Sequence, residues 1–338
     1  RCMRGCPHGA YFSSNSSTLH VARASGNMTL RPHSAVQSVI YDKESGKATG
    51  VRVIDAETKE SHEFFAKIIF LNASAIATAS ILLNSTSERF PNGMGNDSGE
   101  LGHNIMDHHF QIGARGRYEG FEDQYYYGRR PNGIYVPRFR NLNAATKRDY
   151  LRGFGYQGGG GRSGWNRGQG QEGIGADLKN KLTKPGPWGM TLHAFGECLP
   201  YHQNYMQLSK TEKDQFGMPI IEIDAIFRKN EDKMRIDMEN DAVEMLTKAG
   251  FKDVNPFNNK DSYAVGLGIH EMGTARMGRD PKTSVLNGNN QIHAVPNVFV
   301  TDGAFMTSAG CQNPSITYMA MTARAVDFAV KELNKQNL

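Results

Sequence analysis

Alternating apolar and polar residues predict a β-hairpin near the start of the chain. Residues 36–55, VQSVIYDKESGKATGVRVID, form two alternating runs that are joined by a polar turn at Lys43–Lys47. The apolar run Ile68–Leu71 then predicts a buried strand, Asn72–Ser74 a tight turn, and Ala75–Leu83 a helix of small residues. A strand, a small-residue turn and a helix in this order are typical of a sheet edge that receives a cofactor.

The middle of the chain has little periodicity. The segments YYYGRRPNGIYVPRFRN (125–141) and GFGYQGGGGRSGWNRGQGQ (153–171) are rich in glycine, arginine and aromatic residues, and we interpret both as long loops that cover a sheet. The glycines at Gly158–Gly161 follow no clear strand and open no clear helix. We therefore interpret them as a flexible loop and not as a phosphate-binding turn.

Regular patterns return after residue 200. Residues 204–224, NYMQLSKTEKDQFGMPIIEID, predict another hairpin-like pair with a polar connection. Residues 231–250 predict a structural helix, and Gly250 stands where a C-cap glycine belongs. The apolar residues of this helix, at helical spacing, are Met234, Met238, Ala242, Met245 and Leu246.

A short strand, a loop and a helix are predicted at the C-terminal end. Val298–Val300 predicts a buried strand that ends at Asp302 and Gly303. The loop that follows leads into a helix for which Asn313 is the predicted N-cap and Pro314 the first helical residue. The start of such a helix carries partial positive charge and unpaired N–H groups, which would stabilise negative charge on a reduced flavin.

Composition narrows the function classes. The 338 residues include 39 basic and 34 acidic ones, a net charge of +5, and the charges are interleaved with no basic stripe, so a nucleic-acid binder is disfavoured. No apolar run has the length of a membrane span, so we expect a soluble protein, in the cytoplasm or the periplasm. The four cysteines lack zinc-ligand spacing, and free thiols are favoured over a Cys2–Cys6 disulfide.

His270 and Asn313 are the candidate catalytic residues. Both lie at junctions between predicted segments. A neutral imidazole is suited to remove a hydroxyl proton near neutral pH, and a carboxamide beside it can hydrogen-bond the same oxygen. Asp302 could accept hydrogen bonds from ribityl or ribose hydroxyls, and Gly303 would let the backbone approach a cofactor closely.

The C-terminal residues resemble a known family signature. The stretch HEMGTARMGRDP, the strand that ends in Asp302-Gly303 and the segment NPSIT at the start of the last helix are similar to the C-terminal signature of the glucose–methanol–choline (GMC) oxidoreductases. The segment NASAIATASILLNS resembles the Ala/Gly-rich stretch that lies near adenosine in this family. The resemblance covers most of the chain.

The resemblance implies roles for individual residues. His270 matches the catalytic base and Asn313 the second active-site residue, and FAD is the implied cofactor. The implied cofactor contacts are Val36, Ala73, Asp302, Gly303, Asn313, Pro314 and Thr317.

The resemblance also implies a reaction and a fold. The opening residues and the Arg/Tyr-rich middle look most like the bacterial branch that oxidises pyranoses and glycosides, with hydride passing from a CH–OH group to N5 of FAD. The expected fold is α/β: a discontinuous, Rossmann-like FAD domain (1–105 and 256–338) around an α+β substrate domain (106–255) with an antiparallel sheet. Aromatic faces and guanidinium groups suit rings that carry hydroxyls, so the side chains of this middle segment could line a sugar pocket, and a solvated loop is an equal alternative. These candidate sugar contacts are Arg129, Arg130, Tyr135 and Arg138, with His109 as a further one.

The segment GHNIMDHHF (102–110) has three histidines and an aspartate and suggests a metal site. A similar Asp-His-His lies at the crossing between domains in the family. We therefore expect structural or substrate-proximal roles for His103, His108 and His109, and no metal.

One family element is missing. GMC enzymes begin with a strand, a Gly-x-Gly-x-x-Gly turn and a helix that hold the FAD diphosphate, and this chain does not begin so. We therefore expect an incomplete Rossmann-like domain and a separate N-terminal FAD-binding fragment or subunit as partner. The alternatives are a lyase on the same scaffold, since some members cleave cyanohydrins, and a non-catalytic remnant. The electron acceptor is left open.

Overall fold

The computed structural model describes residue 7 and residues 11–124, 133–259 and 264–338. In these ranges the strands are β1 (Ser34–Asp42), β2 (Lys47–Asp55), β3 (Ser61–Phe65), β4 (Ile69–Leu71), β5 (Ile112–Tyr118), β6 (Ile134–Val136), β7 (Phe154–Arg162), β8 (Trp188–Gly196), β9 (Tyr205–Lys213), β10 (Pro219–Asp224), β11 (Lys252–Asn258), β12 (Gln291–Ile292) and β13 (Val295–Val300). The α-helices are α1 (Thr18–Ala24), α2 (Ala75–Asn84), α3 (Gly175–Thr183), α4 (Lys229–Lys248) and α5 (Ser315–Asn334).

The predicted hairpins and the first strand–turn–helix unit are confirmed. Strands β1, β2 and β3 form an antiparallel meander, and β9 pairs with β10 in a hairpin. The short strand β4 leads directly into α2, as its apolar run followed by small residues predicts.

Strand β13 is the centre of a small α/β layer. It pairs in parallel with β4, with Leu71 opposite Val300, and it is buried on both faces. Val298 and Val300 lie in the same core cluster as apolar residues of α2, whereas Phe299 packs against Ala325 and other residues of α5. Burial on both faces explains why this strand is an uninterrupted apolar run.

A five-stranded antiparallel sheet forms the second layer, in the order β11-β5-β8-β7-β6. Helix α4 covers one face of this sheet with the apolar residues that its helical spacing predicts; Met245 is only partly buried. Gly250 follows the helix with a φ of +85°, the left-handed conformation of a helix-terminating glycine. Strand β11 continues the sheet to Asn258, past the predicted domain boundary at residue 255.

The loop interpretation of the second glycine-rich segment is wrong. Residues Phe154–Arg162 form β7, which lies between β6 and β8, so the glycines at Gly158–Gly161 belong to a strand and not to a flexible loop. Close strand packing explains the glycine at residue 158. An ideal Cβ added there would lie 2.4 Å from the carbonyl oxygen of Thr191 and 2.9 Å from a methyl carbon of Leu192.

The first glycine-rich segment is described only in part. Residues 125–132, including Arg129 and Arg130, lie outside the described residues. Ile134–Val136 of this segment forms the edge strand β6, so the loop interpretation is wrong there as well.

The predicted start of the last helix is displaced. Helix α5 begins at Ser315 with Pro314 as its N-cap, and no side chain caps it. Asn313 does not cap the helix because its amide is bonded elsewhere, to His270 and Gln157.

The mixed helix and sheet architecture, with open sheets, confirms the predicted α/β plus α+β fold. Across the described residues, none of the helices combines the length and the apolar character that a bilayer crossing demands.

Two glycines of β7 allow a matched test of the packing. Gly158→Ala should lower the free energy of unfolding by about 1–3 kcal/mol, because the added methyl group meets the backbone of β8. Gly160→Ala is the control, since its Cβ would lie 3.6 Å from the nearest atom, the carbonyl oxygen of Gly189. Urea unfolding measures both, and equal stabilities would contradict the packing argument.

Candidate active site

The carboxyl ends of β4 and β13 form one edge of the α/β layer. Because the two strands are parallel, the turn after β4 and the loop after β13 lie side by side. The Thr301 hydroxyl donates to the Asn72 side-chain oxygen at 2.6 Å, and the Thr78 hydroxyl donates to the Asp302 carboxylate at 2.5 Å. Ser74 has a φ of +78°, a conformation that residues other than glycine rarely adopt, and such strain clusters at functional sites.

Asp302 and Gly303 have contacts inside the protein that the sequence did not predict. Both carboxylate oxygens of Asp302 accept hydrogen bonds, one from Thr78 and one from the Ala304 N–H at 2.9 Å, and burial raises the pKa of the carboxyl. A Cβ at Gly303 would lie 2.4 Å from the carbonyl oxygen of Glu271. This glycine therefore allows close packing against the loop that carries His270.

His270 and Asn313, which are 43 residues apart in the chain, meet in the structure. The Asn313 Nδ2 lies 3.2 Å from the His270 Nε2. Asn313 is exposed and His270 is half-buried, so the pair is open to a ligand. Burial lowers the pKa of His270, which keeps the imidazole neutral at neutral pH.

The sequence did not single out Gln157, a third member of this group. Its Nε2 donates to the Asn313 Oδ1 at 2.6 Å, so the five-stranded sheet contacts the His270–Asn313 pair directly. Its segment was interpreted as a loop, and the strand alternation that aims Gln157 at the site was therefore not recognised. The same alternation turns its neighbour Tyr156 to the opposite face, where its hydroxyl donates to the Met238 carbonyl oxygen.

His108 lies behind His270. The two Nδ1 atoms are 2.9 Å apart, and the His108 Nε2 contacts the carbonyl oxygen of Gly310. The His108 side chain is buried, and burial together with the nearby His270 lowers its pKa to about 4. His108 is therefore a neutral imidazole at any pH near neutrality.

Asp107 holds the loop that carries His270. One carboxylate oxygen accepts the backbone N–H of Gly266 at 3.1 Å and that of Gly268, and the other accepts those of His270 at 3.3 Å and His108 at 2.7 Å. The side chain is fully buried. Burial raises the pKa of the carboxyl to about 6, against the effect of these N–H donors, so Asp107 is mostly ionised at neutral pH.

The start of α5 lies next to Asn313 of the His270–Asn313 pair. Pro314 is buried and Thr317 is exposed. The first N–H groups of a helix have no partner within it, and α5 has no side-chain cap. Within the described part of the chain, the buried hydroxyl of Tyr318 also has no hydrogen-bond partner. This end of α5 therefore has polar groups available to a ligand.

The candidate sugar contacts have different surroundings in the structure. Tyr135 lies in β6 directly opposite Gln157. The Arg138 guanidinium donates to Glu197 at 2.9 Å and to two backbone carbonyl oxygens, so its role as a free sugar ligand is not supported. His109 is fully buried against Phe227 and Gly196, which favours a structural role over a contact with substrate. Arg129 lies outside the described residues.

The remaining predicted cofactor residues lie in two places. Ala73 is exposed in the turn after β4, and its N–H donates to the Thr78 hydroxyl at 3.1 Å. Val36 is partly buried in β1 and packs against the core cluster that includes α2. Among the residues that the structure describes, no group of three or more His, Cys, Asp or Glu side chains could hold a metal ion.

Comparison with known proteins identifies the family. Two models described as GMC oxidoreductase match residues 1–110 and 200–322, which together are more than half of the chain. The chain belongs to the GMC oxidoreductase family. GMC oxidoreductases are FAD-binding flavoproteins, as the resemblance implies.

The related proteins are dehydrogenases and oxidases. A 2-methyl-1,2-propanediol dehydrogenase of Mycolicibacterium austroafricanum is 30% identical over 88% of this chain and 54% of its own length. The fructose dehydrogenase large subunit of Gluconobacter japonicus is 24% identical over 99% of this chain and 59% of its own length. Paromamine 6'-oxidase of Streptomyces fradiae is 26% identical over 97% of this chain and 57% of its own length. The chain therefore spans little more than half the length of these relatives.

Solved structures show the same fold. A formate oxidase of Aspergillus oryzae superimposes with a TM-score of 0.63 at 15% identity, over 93% of this chain and 62% of its own. A pyridoxine 4-oxidase from Mesorbium loti gives a TM-score of 0.53 at 17% identity, over 95% of this chain and 61% of its own.

Asp107→Asn tests whether the Asp107 carboxylate supports the loop that carries His270. In either orientation the amide NH₂ would face two backbone N–H groups that the carboxylate now accepts, so we expect a loss of about 2–4 kcal/mol in the free energy of unfolding. Asp149→Asn is the control, because that carboxylate is 90% exposed and pairs only at the surface. Chemical denaturation measures both, and an unchanged stability of Asp107→Asn would show that the loop does not depend on the carboxylate.

Proposed function

We propose that this protein oxidises a CH–OH group of a sugar or glycoside to the ketone, with FAD as the cofactor. The observation that carries the proposal is the convergence of the His270 Nε2 and the Asn313 Nδ2, 3.2 Å apart, on an exposed surface between two layers of the fold. Because the chain spans only part of the length of its relatives, the activity is proposed for the protein that contains this chain and bound FAD.

His270 would act as the base. Its neutral imidazole offers a lone pair to the hydroxyl proton of the substrate, and removing that proton raises the electron density that drives hydride from the carbon. The Asn313 amide would donate to the same oxygen and orient the C–H bond. FAD, when bound, supplies the hydride acceptor.

The residues at the end of the α/β layer fit such a cofactor. The turn at Asn72–Ser74 is exposed. The uncapped start of α5 presents backbone N–H groups, and the partnerless hydroxyl of Tyr318 is buried beside Gly303. We propose that these elements, with Thr317, hold the flavin part of FAD, and that Ala73 and Val36 lie toward the adenosine part. The positive end of α5 would favour negative charge on the reduced ring.

One row of side chains across the five-stranded sheet supports a sugar-like substrate. Tyr135, Gln157, His193 and Phe257 occupy opposed positions on neighbouring strands, with Gly113 between the last two, so they share one face of the sheet. Gln157 anchors this face to Asn313, and the His193 and Phe257 rings are 5.1 Å apart. Aromatic faces beside amide and imidazole groups suit a ring that carries hydroxyls.

The domain organisation follows from the same arrangement. We propose that residues 1–105 belong to the FAD domain together with the predicted segment 256–338 from the end of β11 onward. Residues 106–255 would form the substrate domain, which β11 extends to Asn258. The diphosphate of FAD would bind a strand–turn–helix unit with a Gly-x-Gly-x-x-Gly turn, and we propose that a partner segment of this kind completes the site. Purification of the active protein, followed by mass spectrometry of its polypeptides, tests this point.

His270→Ala tests the base. We expect the rate of flavin reduction by an oxidisable sugar to fall by roughly 10²- to 10⁴-fold, because proton removal loses its acceptor. Anaerobic stopped-flow bleaching of the flavin measures the rate in the FAD-loaded protein. His33→Ala is the matched control, since that side chain is 63% exposed. Undiminished bleaching in His270→Ala would remove the assigned role, and a wild-type flavin that stays oxidised while the substrate is cleaved would favour a lyase.

The pH dependence follows from the environment of His270. The base must be neutral, and burial lowers its pKa below the ordinary 6.5, so kcat/KM should rise with pH through a pKa below that value and be level at neutral pH. Steady-state kinetics in overlapping buffers measure the profile. An acid limb centred above the ordinary histidine value would contradict the assignment.

A further inference from the structure

A chain of hydrogen bonds runs through the proposed site from a backbone carbonyl to the five-stranded sheet. It joins the carbonyl oxygen of Gly310, the ring of His108, the ring of His270, the amide of Asn313 and the amide of Gln157. We infer that the Gly310 carbonyl, acting through His108, fixes His270 in the tautomer whose Nε2 carries the lone pair. The inference rests on the proposed function for its catalytic meaning, but the hydrogen-bond geometry and the burial of His108 determine the tautomer.

The first link has only one possible direction. A carbonyl oxygen accepts and never donates, so the His108 Nε2 must carry a proton. His108 is buried and neutral, and a neutral imidazole has one N–H, so its Nδ1 carries a lone pair. The opposite assignment would set the Nε2 lone pair against the Gly310 oxygen, and two acceptors repel each other.

The second link follows from the first. The His270 Nδ1 lies 2.9 Å from the His108 Nδ1, which accepts, so the His270 Nδ1 donates. The neutral His270 ring then has its lone pair on Nε2, the nitrogen that faces Asn313 and the open side of the site. A base needs a lone pair on this nitrogen, because a ring protonated there could not take a proton from the substrate.

The hydrogen bonds between His270 and the five-stranded sheet have the same direction. An Nε2 lone pair requires Asn313 to present its NH₂ group, which turns the Asn313 oxygen toward Gln157, and the Gln157 NH₂ group donates to that oxygen at 2.6 Å. All four hydrogen bonds therefore point from the sheet toward Gly310. Two consequences concern the substrate: its hydroxyl must donate to His270, and its oxygen can accept from Asn313. His108 acts through His270 and is thus a positioning residue.

The tautomer can be measured directly. In the FAD-loaded protein with ¹⁵N-labelled histidine, the NMR shifts of the His270 ring, assigned by their loss in His270→Gln, distinguish a protonated from an unprotonated nitrogen. We expect a protonated Nδ1 and an unprotonated Nε2 above the pKa of the ring. A proton on Nε2 in the resting wild-type protein would overturn the inference.

Two substitutions of His108 test its role. His108→Leu removes the acceptor, so we expect a mixture of His270 tautomers and a fall in kcat/KM of up to roughly 10⁴-fold, which is the loss for a catalytic histidine held in the wrong tautomer. His108→Asn places an amide oxygen close to the position of Nδ1, and we expect it to restore the wild-type tautomer and to bring kcat/KM within about tenfold of wild type.

The outcomes separate the inference from the proposed function. His33→Leu, at a side chain that is 63% exposed, is the control for a general effect of losing a histidine. An unchanged His270 tautomer in His108→Leu, or a failure of His108→Asn to restore it, would show that His108 does not set it. A wild-type protein with the expected tautomer whose flavin no sugar reduces would leave the inference standing and sink the proposed function.

Discussion

The buried carboxylate of Asp107 holds the backbone of the loop that carries His270. A loop that contains Gly266, Gly268 and His270 has few side chains with which to pack, so its position depends on its backbone N–H groups. Asp107 lies in a separate segment and accepts hydrogen bonds from these N–H groups. It also accepts the N–H of His108. Gly268 is part of the same arrangement, because a Cβ there would lie 2.4 Å from the carboxylate. The Asp107 carboxylate thus orders the loop and places His108 and His270 against each other.

The elements that pack as single units could be predicted from the sequence. The hairpins, the strand–turn–helix unit at β4 and α2, and the methionine-rich helix α4 follow from local periodicity, since each buries one continuous face. His270 and Asn313 were found because their neighbours match a family signature. Their 3.2 Å approach could not be derived from their separation in the sequence. It depends on how the start of α5 packs against the loop that Asp107 holds.

The features that the sequence did not predict all depend on contacts between segments that are distant in the chain. Glycine normally indicates a turn, but in β7 it allows the backbones of neighbouring strands to come close, and that requirement is visible only when β8 is in place. The strand therefore went unrecognised, and with it the alternation that directs Gln157. The residue types of His108 and Asp107 suggest a metal site, and the family resemblance favours structural or substrate-proximal roles, but residue type alone does not reveal which atoms they face. Their partners are backbone groups of Gly310 and of the loop, which carry no side-chain signal.

Strand β7 keeps scaffold stability and the candidate site on different faces. Tyr156 anchors the strand to α4, whereas the adjacent Gln157 contacts Asn313. Because side chains alternate along a strand, a substitution of Gln157 can change the candidate site and leave in place the contact that holds the helix behind the sheet. The two faces of this strand can therefore be redesigned independently.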